Sequence, residues 1–381
     1  MPPKVIDVQS ADDIRDVVHR TVQALAEGKL VVVPTETVYG LAASALAPGS
    51  VERLLGAKHR VRGQALTLAV KSAGEARDFV PDMSLIAQRL ARRCWPGPLT
   101  LVLPNRHPEG LARQLPPLVA EAVSPEGTLG LRVPDHRLLL DVLRLLSGPL
   151  VLTSANQSGM PAAVSAQDAL EQLGDEVDLI LDDGRSPLGQ ASSVVRVEDR
   201  RVQLLREGVV SASHIRRLCG FMVLVVCTGN TCRSPMAEVL LRRRLAQRFG
   251  CTPEELEDRG VLVMSAGIAA MAGGRAAAEA VTTMQERGLD LSRHESQPVS
   301  PRLAQYTDLI LTMTSTHREA LIHQWPNLAD RTFTLCDGGD IADPIGHPLE
   351  AYRLCADQID EALAQFIGRW KFEELLAEEL P

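Results

Sequence analysis

The sequence predicts an α/β protein of two tandem domains, a twisted-sheet domain followed by a smaller doubly wound parallel sheet. Three observations carry that expectation. The chain has 381 residues, more than a single hydrophobic core ordinarily serves. Short runs rich in Val, Ile and Leu alternate with helix-length segments, the pattern of helices layered on a sheet. Charge is also unevenly divided. Residues 1–220 hold 25 basic and 25 acidic side chains, whereas residues 221–381 hold 15 and 23, the whole of the net −8.

In residues 1–217 a helix capped near Ser10 runs to about Glu27, because Ile14, Val17, Val18, Val22 and Leu25 fall on one face. Strands are expected at 29–34, 66–70, 99–103, 130–134 and 149–154, and again at 178–182, 193–197 and 202–206. Helices near 50–57, 83–94, 136–147 and 165–173 lie between them. A last helix ends at Cys219-Gly220 and Met222 precedes a new strand, so the boundary falls near Arg217 to Phe221. The second domain, 221–381, begins with that strand and a cysteine loop. Helices follow at 234–249, 274–287 and 316–325, strands at 261–267, 308–314 and 331–337, and a long helix from about 348. Doubly wound sheets bind ligands at the carboxyl ends of their strands. Cys227 ends the first strand and DGGDIADPIGHP follows the fourth, so both belong at one edge.

Composition excludes several classes. Hydrophobic residues make up 45% and charged residues 23%, as in a water-soluble globular protein. No apolar run reaches membrane-spanning length, and MPPKVIDVQSADD is too polar and acidic for a secretory signal. Seven scattered cysteines do not form a disulfide framework, and without CxxC or HExxH no metal site is expected from the protein alone. The expected location is the cytoplasm. Neither half has the basic excess of a strong nonspecific nucleic-acid binder. Gly49 and Gly56 stand wrongly spaced before Lys58 for a Walker loop.

The chemistry of the second domain gathers in VLVVCTGNTCRSPMAE, Val223 to Glu238. A hydrophobic strand runs into a polar loop and then at once into a helix. Successive loop N–H groups and the helix N-terminus converge on an oxyanion. Arg233 can grip two oxygens with its planar fork. The same positive field favours the thiolate of Cys227 as a nucleophile toward phosphorus. Gly229 and Asn230 supply the unusual backbone angles of the loop. The bland alternative is a buried cysteine in an ordinary strand-to-helix turn. From about Met222 onward the stretch resembles the low-molecular-weight protein-tyrosine-phosphatase family, whose loop reads C-x5-R-S.

The resemblance implies roles residue by residue. Thr228, Gly229, Asn230, Thr231, Cys232 and Ser234 form the phosphate-binding loop, with Ser234 donating to the thiolate. Asp343, followed by Pro344, is the general acid, and Ser265 and His294 brace the loop. No cofactor is implied. Tyrosine-directed relatives carry aromatic residues after Asp-Pro, whereas Ile345 and Gly346 stand here. With Thr231 in place of a larger aliphatic residue, the loop resembles the protein-arginine-phosphatase branch, which implies phosphoarginine on protein substrates. Cys232 is either a resolving thiol for oxidised Cys227 or a small packing residue.

The first domain carries VVPTETVYGLAAS (32–44), AKHRVRGQALTLAV (57–70), RCWPGPLTLVL (93–103), LGLRVPDH (129–136), LTSANQSG (152–159), GQASSVVRV (189–197) and LLREG (204–208). In this order they resemble the YrdC-like threonylcarbamoyl-AMP synthase family over about residues 5–217. Val61 and Ala65 depart from it where prolines are common, and Ser192-Ser193 replaces the commoner Ser-Thr. The resemblance implies a reaction joining L-threonine, bicarbonate and ATP, with Mg²⁺ accompanying the nucleotide. A separate tRNA-modifying transferase would consume the product. It assigns positive charge for the triphosphate and carbamate to Lys58 and Arg60, and the threonine carboxylate to Arg132. Thr35, Thr153, Ser154, Asn156 and Ser193 offer neutral hydrogen bonds, and Arg206 contacts ATP. The rival expectation leaves one domain non-catalytic, as an RNA- or nucleotide-binding module or a phosphoprotein scaffold. A redox sensor built on Cys227 and Cys232 would not require Asp343.

Overall fold

The computed structural model describes residues 2–58, 65–336 and 339–380. Contacts divide the chain into one unit of Met1–Arg216 with Glu378–Pro381 and a second of Arg217–Ala377. The last four residues thus group with the first unit.

The first unit begins with β1 (Lys4–Asp7), α1 (Ile14–Ala26), β2 (Val31–Val33), β3 (Gly40–Ser44) and α2 (Pro48–Ala57). It continues with β4 (Thr67–Ala69), α3 (Ala73–Phe79), α4 (Leu85–Cys94), β5 (Leu99–Pro104) and α5 (Pro117–Val123). Then come β6 (Thr128–Arg132), α6 (Arg137–Leu145), β7 (Leu150–Ser154) and α7 (Ala166–Leu173). β8 (Leu179–Asp182), β9 (Ser193–Glu198) and β10 (Arg201–Arg206) follow, and α8 (Ala212–Cys219) contains the division between the units. The strands form one mixed sheet in the order β1-β8-β2-β3-β7-β4-β6-β5-β9-β10. At its edge Val202 N donates to Glu379 O at 3.1 Å, so the tail of the chain meets β10.

α1 starts later than its periodicity suggests because Asp13, not Ser10, caps it by accepting from Arg15 N. Its apolar face (Val17, Val18, Ala24, Leu25) packs on Val31, Val33, Leu139 and Val142. β1 and β3 were not legible. GLAAS has little β propensity, yet it lies antiparallel between β2 and β7, pairing Leu41 with Val32 on one side and Thr153 on the other. Pairing partners decided the conformation there.

The second unit contains β11 (Phe221–Cys227), α9 (Arg233–Phe249), β12 (Val261–Gly267), α10 (Ala278–Gln285) and α11 (Pro301–Tyr306). After these come β13 (Leu309–Thr312), α12 (Ser315–Gln324), β14 (Thr332–Thr334), α13 (Leu349–Arg369) and α14 (Phe372–Leu375). Every pairing in its sheet, β12-β11-β13-β14, is parallel. β11 is buried along its whole length, so it reads as a continuous apolar run. Val223 and Val225 enter the core with α9 and α13, and Leu224 and Val226 enter the opposite core with Ala304, Leu321 and Leu328. Burying each such side chain contributes about 1.5–3 kcal/mol, which fixes the strand that carries Cys227. α10 is shorter than the expected 274–287, because Arg275 instead bridges Glu295 and Gly274 accepts from Ser296 N. Asp337, expected at the end of the last strand, lies outside the described residues.

Candidate active sites

At the carboxyl end of β11 the chain leaves the sheet at Cys227 and turns back into α9 at Arg233. The turn is possible because Asn230 adopts a left-handed φ of 55°, which asparagine tolerates. Gly229 does not share that conformation. The Asn230 side chain then locks the loop. Its Nδ2 donates to Ser234 Oγ at 3.0 Å and to Ser265 Oγ at 2.9 Å, and its Oδ1 accepts from Gln297 N at 2.9 Å. The Asn230 carbonyl accepts from His294 Nε2 at 2.8 Å. Ser265 in turn donates to Glu238 at 2.6 Å. Gly267 lies directly beneath the loop; a Cβ there would collide with Thr228 O and reach 3.0 Å from Asn230 N.

The sulfur of Cys227 lies 3.0 Å from Ser234 Oγ and accepts from Asn230 N at 3.3 Å. Arg233 is 5% exposed. Its Nη1 donates to Ile341 O at 3.1 Å, and its Nη2 donates to Thr228 Oγ1 at 3.4 Å and to the carboxylate of Asp343. Asp343 Oδ1 also accepts from Ile345 N at 3.3 Å. The loop after β14 therefore meets the loop after β11 at one edge of the sheet. Thr231 lies in the loop wall, its carbonyl accepting from Ala277 N, and Ile345 is exposed nearby in sequence to Asp343. Cys232 is buried with its sulfur 3.6 Å from Tyr352 OH, and that burial pushes its thiol up from the ordinary value. Both Cys227 and Cys232 are free thiols.

Sequence reasoning missed His317. It is 4% exposed, and its Nε2 lies 2.9 Å from Thr228 Oγ1. A histidine in the first turn of a helix carries no signal by itself, and only the fold brings α12 beside the loop.

In the first unit a cavity of about 560 Å³ opens along the sheet. Thr35, Arg132, Thr153, Ser154, Asn156 and Arg206 line it, drawn from four separated motifs. Among the described residues its charged lining is three arginines (Arg132, Arg196, Arg206) and one glutamate, Glu126. Burial, with the Arg132 charge nearby, lowers the Arg206 pKa from its ordinary value. Arg206 is held by Ser192 O, which accepts from Nε at 3.2 Å and Nη2 at 2.9 Å.

Lys58 is buried beneath the turn after β7. Its Nζ donates to Ser154 O at 2.8 Å, to Asn156 O, and to Asn156 Oδ1 at 3.2 Å. Arg60 lies outside the described residues. Arg132 is more committed than its assignment suggested. Nε donates to Gly97 O at 3.3 Å, and Nη2 donates to Glu36 at 2.7 Å and Thr37 at 2.8 Å. Glu36 carried no sequence signal, because a glutamate within a Thr-rich strand end looks exposed, yet it is 8% exposed. Ser193 is placed away from the cavity. Its hydroxyl donates to Val210 O at 2.7 Å and accepts from Gly208 N and Val210 N. The neighbouring Ser192 lines the cavity instead and lies 3.1 Å from Thr100 Oγ1. Alternation along an extended segment sends adjacent residues to opposite sides.

Two stretches of the chain are similar to known proteins. Residues 23–208 match the family described as "Telomere recombination", and residues 222–379 match "Low molecular weight phosphotyrosine protein phosphatase". The threonylcarbamoyl-AMP synthase of Pyrococcus abyssi is 34% identical over 196 residues, which cover 51% of this chain and only 55% of that relative's length. A putative threonylcarbamoyl-AMP synthase of Mycobacterium tuberculosis is 37% identical over 199 residues, 52% of this chain and 87% of the relative. The protein-arginine-phosphatase of Geobacillus stearothermophilus is 34% identical over 159 residues, 40% of this chain and 99% of the relative.

Proposed function

We propose that this chain, which belongs over its first unit to the threonylcarbamoyl-AMP synthase family and over its second to the low-molecular-weight phosphatase family of the protein-arginine-phosphatase type, carries both activities. The first joins L-threonine, bicarbonate and ATP into threonylcarbamoyl-AMP and pyrophosphate. The second removes phosphoryl groups from proteins by way of a cysteine.

For the synthase the carrying observation is the cavity, whose three arginines against one glutamate suit a polyanionic nucleotide. Arg206 and Arg196 meet the phosphates, and the neutral hydroxyls of Thr35, Thr153 and Ser154 orient the amino acid. Arg132 engages the threonine carboxylate through Nη1, which has no partner among the described residues, while Glu36 and Thr37 hold the other side of its guanidinium. Lys58 places positive charge under the Ser154–Asn156 turn, and Arg60 is assigned beside it. The carbamate oxygen attacks the α-phosphorus and pyrophosphate leaves, so no protein nucleophile is needed. Positioning and charge supply the rate. Among the described residues no cluster of three His, Cys, Asp or Glu side chains forms a metal site. Mg²⁺ fits only as a passenger on ATP, neutralising its phosphates. A tRNA-modifying transferase consumes the product.

For the phosphatase the carrying observation is the convergence of Arg233 and Asp343 at the loop that holds Cys227. The Cys227 sulfur attacks phosphorus, Arg233 and the loop N–H groups take the charge, and Asp343 protonates the departing atom. Asp343 then activates water against the cysteinyl-phosphate. Thr231 sets a preference for phosphoarginine, and no cofactor is required. Among the described residues no helix is long and apolar enough to cross a membrane. ATP, tRNA-modifying enzymes and phosphorylated proteins meet in the cytoplasm, where we place the chain.

Two incubations test this. With ATP, threonine and bicarbonate the chain should release pyrophosphate in a threonine-dependent manner and yield the adenylate by mass spectrometry. Threonine-independent release overturns the synthase. With phosphoarginine and phosphotyrosine peptides it should favour the former; the reverse order removes the arginine assignment.

A further inference from the structure

Behind Cys227 lies a chain of three side chains that the steps above do not use. Thr314 caps α12, its Oγ1 accepting from His317 N at 3.1 Å. The same oxygen lies 2.9 Å from Nδ1 of the His317 ring. Nε2 on the ring's other side lies 2.9 Å from Thr228 Oγ1, which also accepts from Arg233 Nη2 at 3.4 Å. His317 is buried, whereas Thr228 is exposed at the mouth of the loop.

The ring's partners suit either tautomer; in the one that leaves a proton over for a ligand, the Thr314 hydroxyl donates to Nδ1. A hydroxyl has one proton to give and two lone pairs to accept with. Among the described residues Nδ1 of His317 is the acceptor in reach of the Thr314 proton. Nδ1 is then the bare nitrogen, and the neutral ring carries its proton on Nε2. Nε2 donates to Thr228 Oγ1, which accepts a second time from Arg233. Both lone pairs of that oxygen are used. In this tautomer its own proton meets no acceptor among the described residues and is left for one that enters the loop. Burial and the Arg233 charge lower the His317 pKa against the opposing pull of Asp343 and Asp340, which favours the neutral ring.

We propose that the Thr228 hydroxyl is a fixed hydrogen-bond donor to the bound phosphoryl group, and that His317, acting through it, is a positioning residue of the phosphatase site. The proposal rests on the phosphatase reading of the second unit. It adds one charge-assisted donor to a loop otherwise built from N–H groups and Arg233. A valine at position 228 would keep the shape and lose the donor. A leucine at 317 would free the Thr228 hydroxyl to turn away.

The test uses the full chain with inorganic phosphate as the probe, titrated by calorimetry. Thr228→Val should weaken phosphate binding about tenfold, with an unchanged melting temperature, and Thr228→Ser should restore it. His317→Leu should weaken binding similarly, and His317→Gln, whose amide offers an N–H in place of Nε2, should recover most of the loss. Nitrogen NMR of His317 should show Nδ1 bare and Nε2 protonated. A proton on Nδ1, or wild-type phosphate binding by Thr228→Val, overturns the proposal. Phosphate binding that depends on Thr228 in a chain that hydrolyses neither phosphoarginine nor phosphotyrosine would leave this contact standing and remove the phosphatase reading instead.

Discussion

Arg233 is already paired with Asp343, so the proposed general acid is also a competitor for the cation proposed to bind substrate. Asp343→Asn removes that competition along with the proton source. Its turnover should fall by about 10²–10⁴, while inorganic phosphate binds at least as tightly as to wild type; parallel loss of both would refute the assignment. Cys227→Ser should abolish turnover, and mass spectrometry should find phosphate on Cys227 of the trapped wild type. Thr231→Ile should change the ratio of kcat/KM for phosphoarginine over phosphotyrosine by about 10- to 200-fold toward the aromatic substrate. An equal fall in both activities would make Thr231 a packing residue. Cys227, Asn230, Arg233 and Asp343 were legible because spacing and chemistry coincide in one short motif or one turn dipeptide. Glu36, Ser192 and His317 were not, since each acquires its role from a partner far away in sequence. Ser193 shows the limit of motif reading: two adjacent serines look alike in sequence, and only the direction of the strand separates the one facing the cavity from the one tied to Val210.

Periodicity revealed the elements wherever burial made it regular. β11 could be read directly from a run of apolar residues, because a central parallel strand is covered on both faces. β3 and β1 escaped notice for the opposite reason, being strands by virtue of their neighbours. The short helices α3, α5 and α11 escaped too, since six or seven residues give too few turns for a face to emerge. Asn230, bracketed by β11 and α9, gave away its turn through composition alone. Gly267 at the end of β12 is the element-scale counterpart, since the phosphate loop rests on its bare backbone. Gly267→Ala should therefore cost about 1–3 kcal/mol of stability and weaken phosphate binding together, measured by urea midpoint and by calorimetry. Loss of stability with unaltered phosphate affinity would mean that the loop can shift without consequence.

Each unit has its own sheet and its own proposed site. Cys227→Ser in the full chain should accordingly leave threonine-dependent pyrophosphate release within about twofold of wild type. A larger change would reveal energetic coupling between the two chemistries. The helix ending at Cys219-Gly220 and the apolar run that follows put the expected boundary near Arg217 to Phe221. The division at Arg216 and Arg217 falls inside α8 rather than in an irregular connection. Those two arginines are exposed, and on paper they offer trypsin a paired cleavage site at the seam. A protease, however, needs an extended segment, and a helix must unwind before it can enter the enzyme's cleft. Limited digestion should nick arginines in irregular segments first and leave the seam uncut until α8 melts, making the most inviting address in the sequence one of the slowest to be opened.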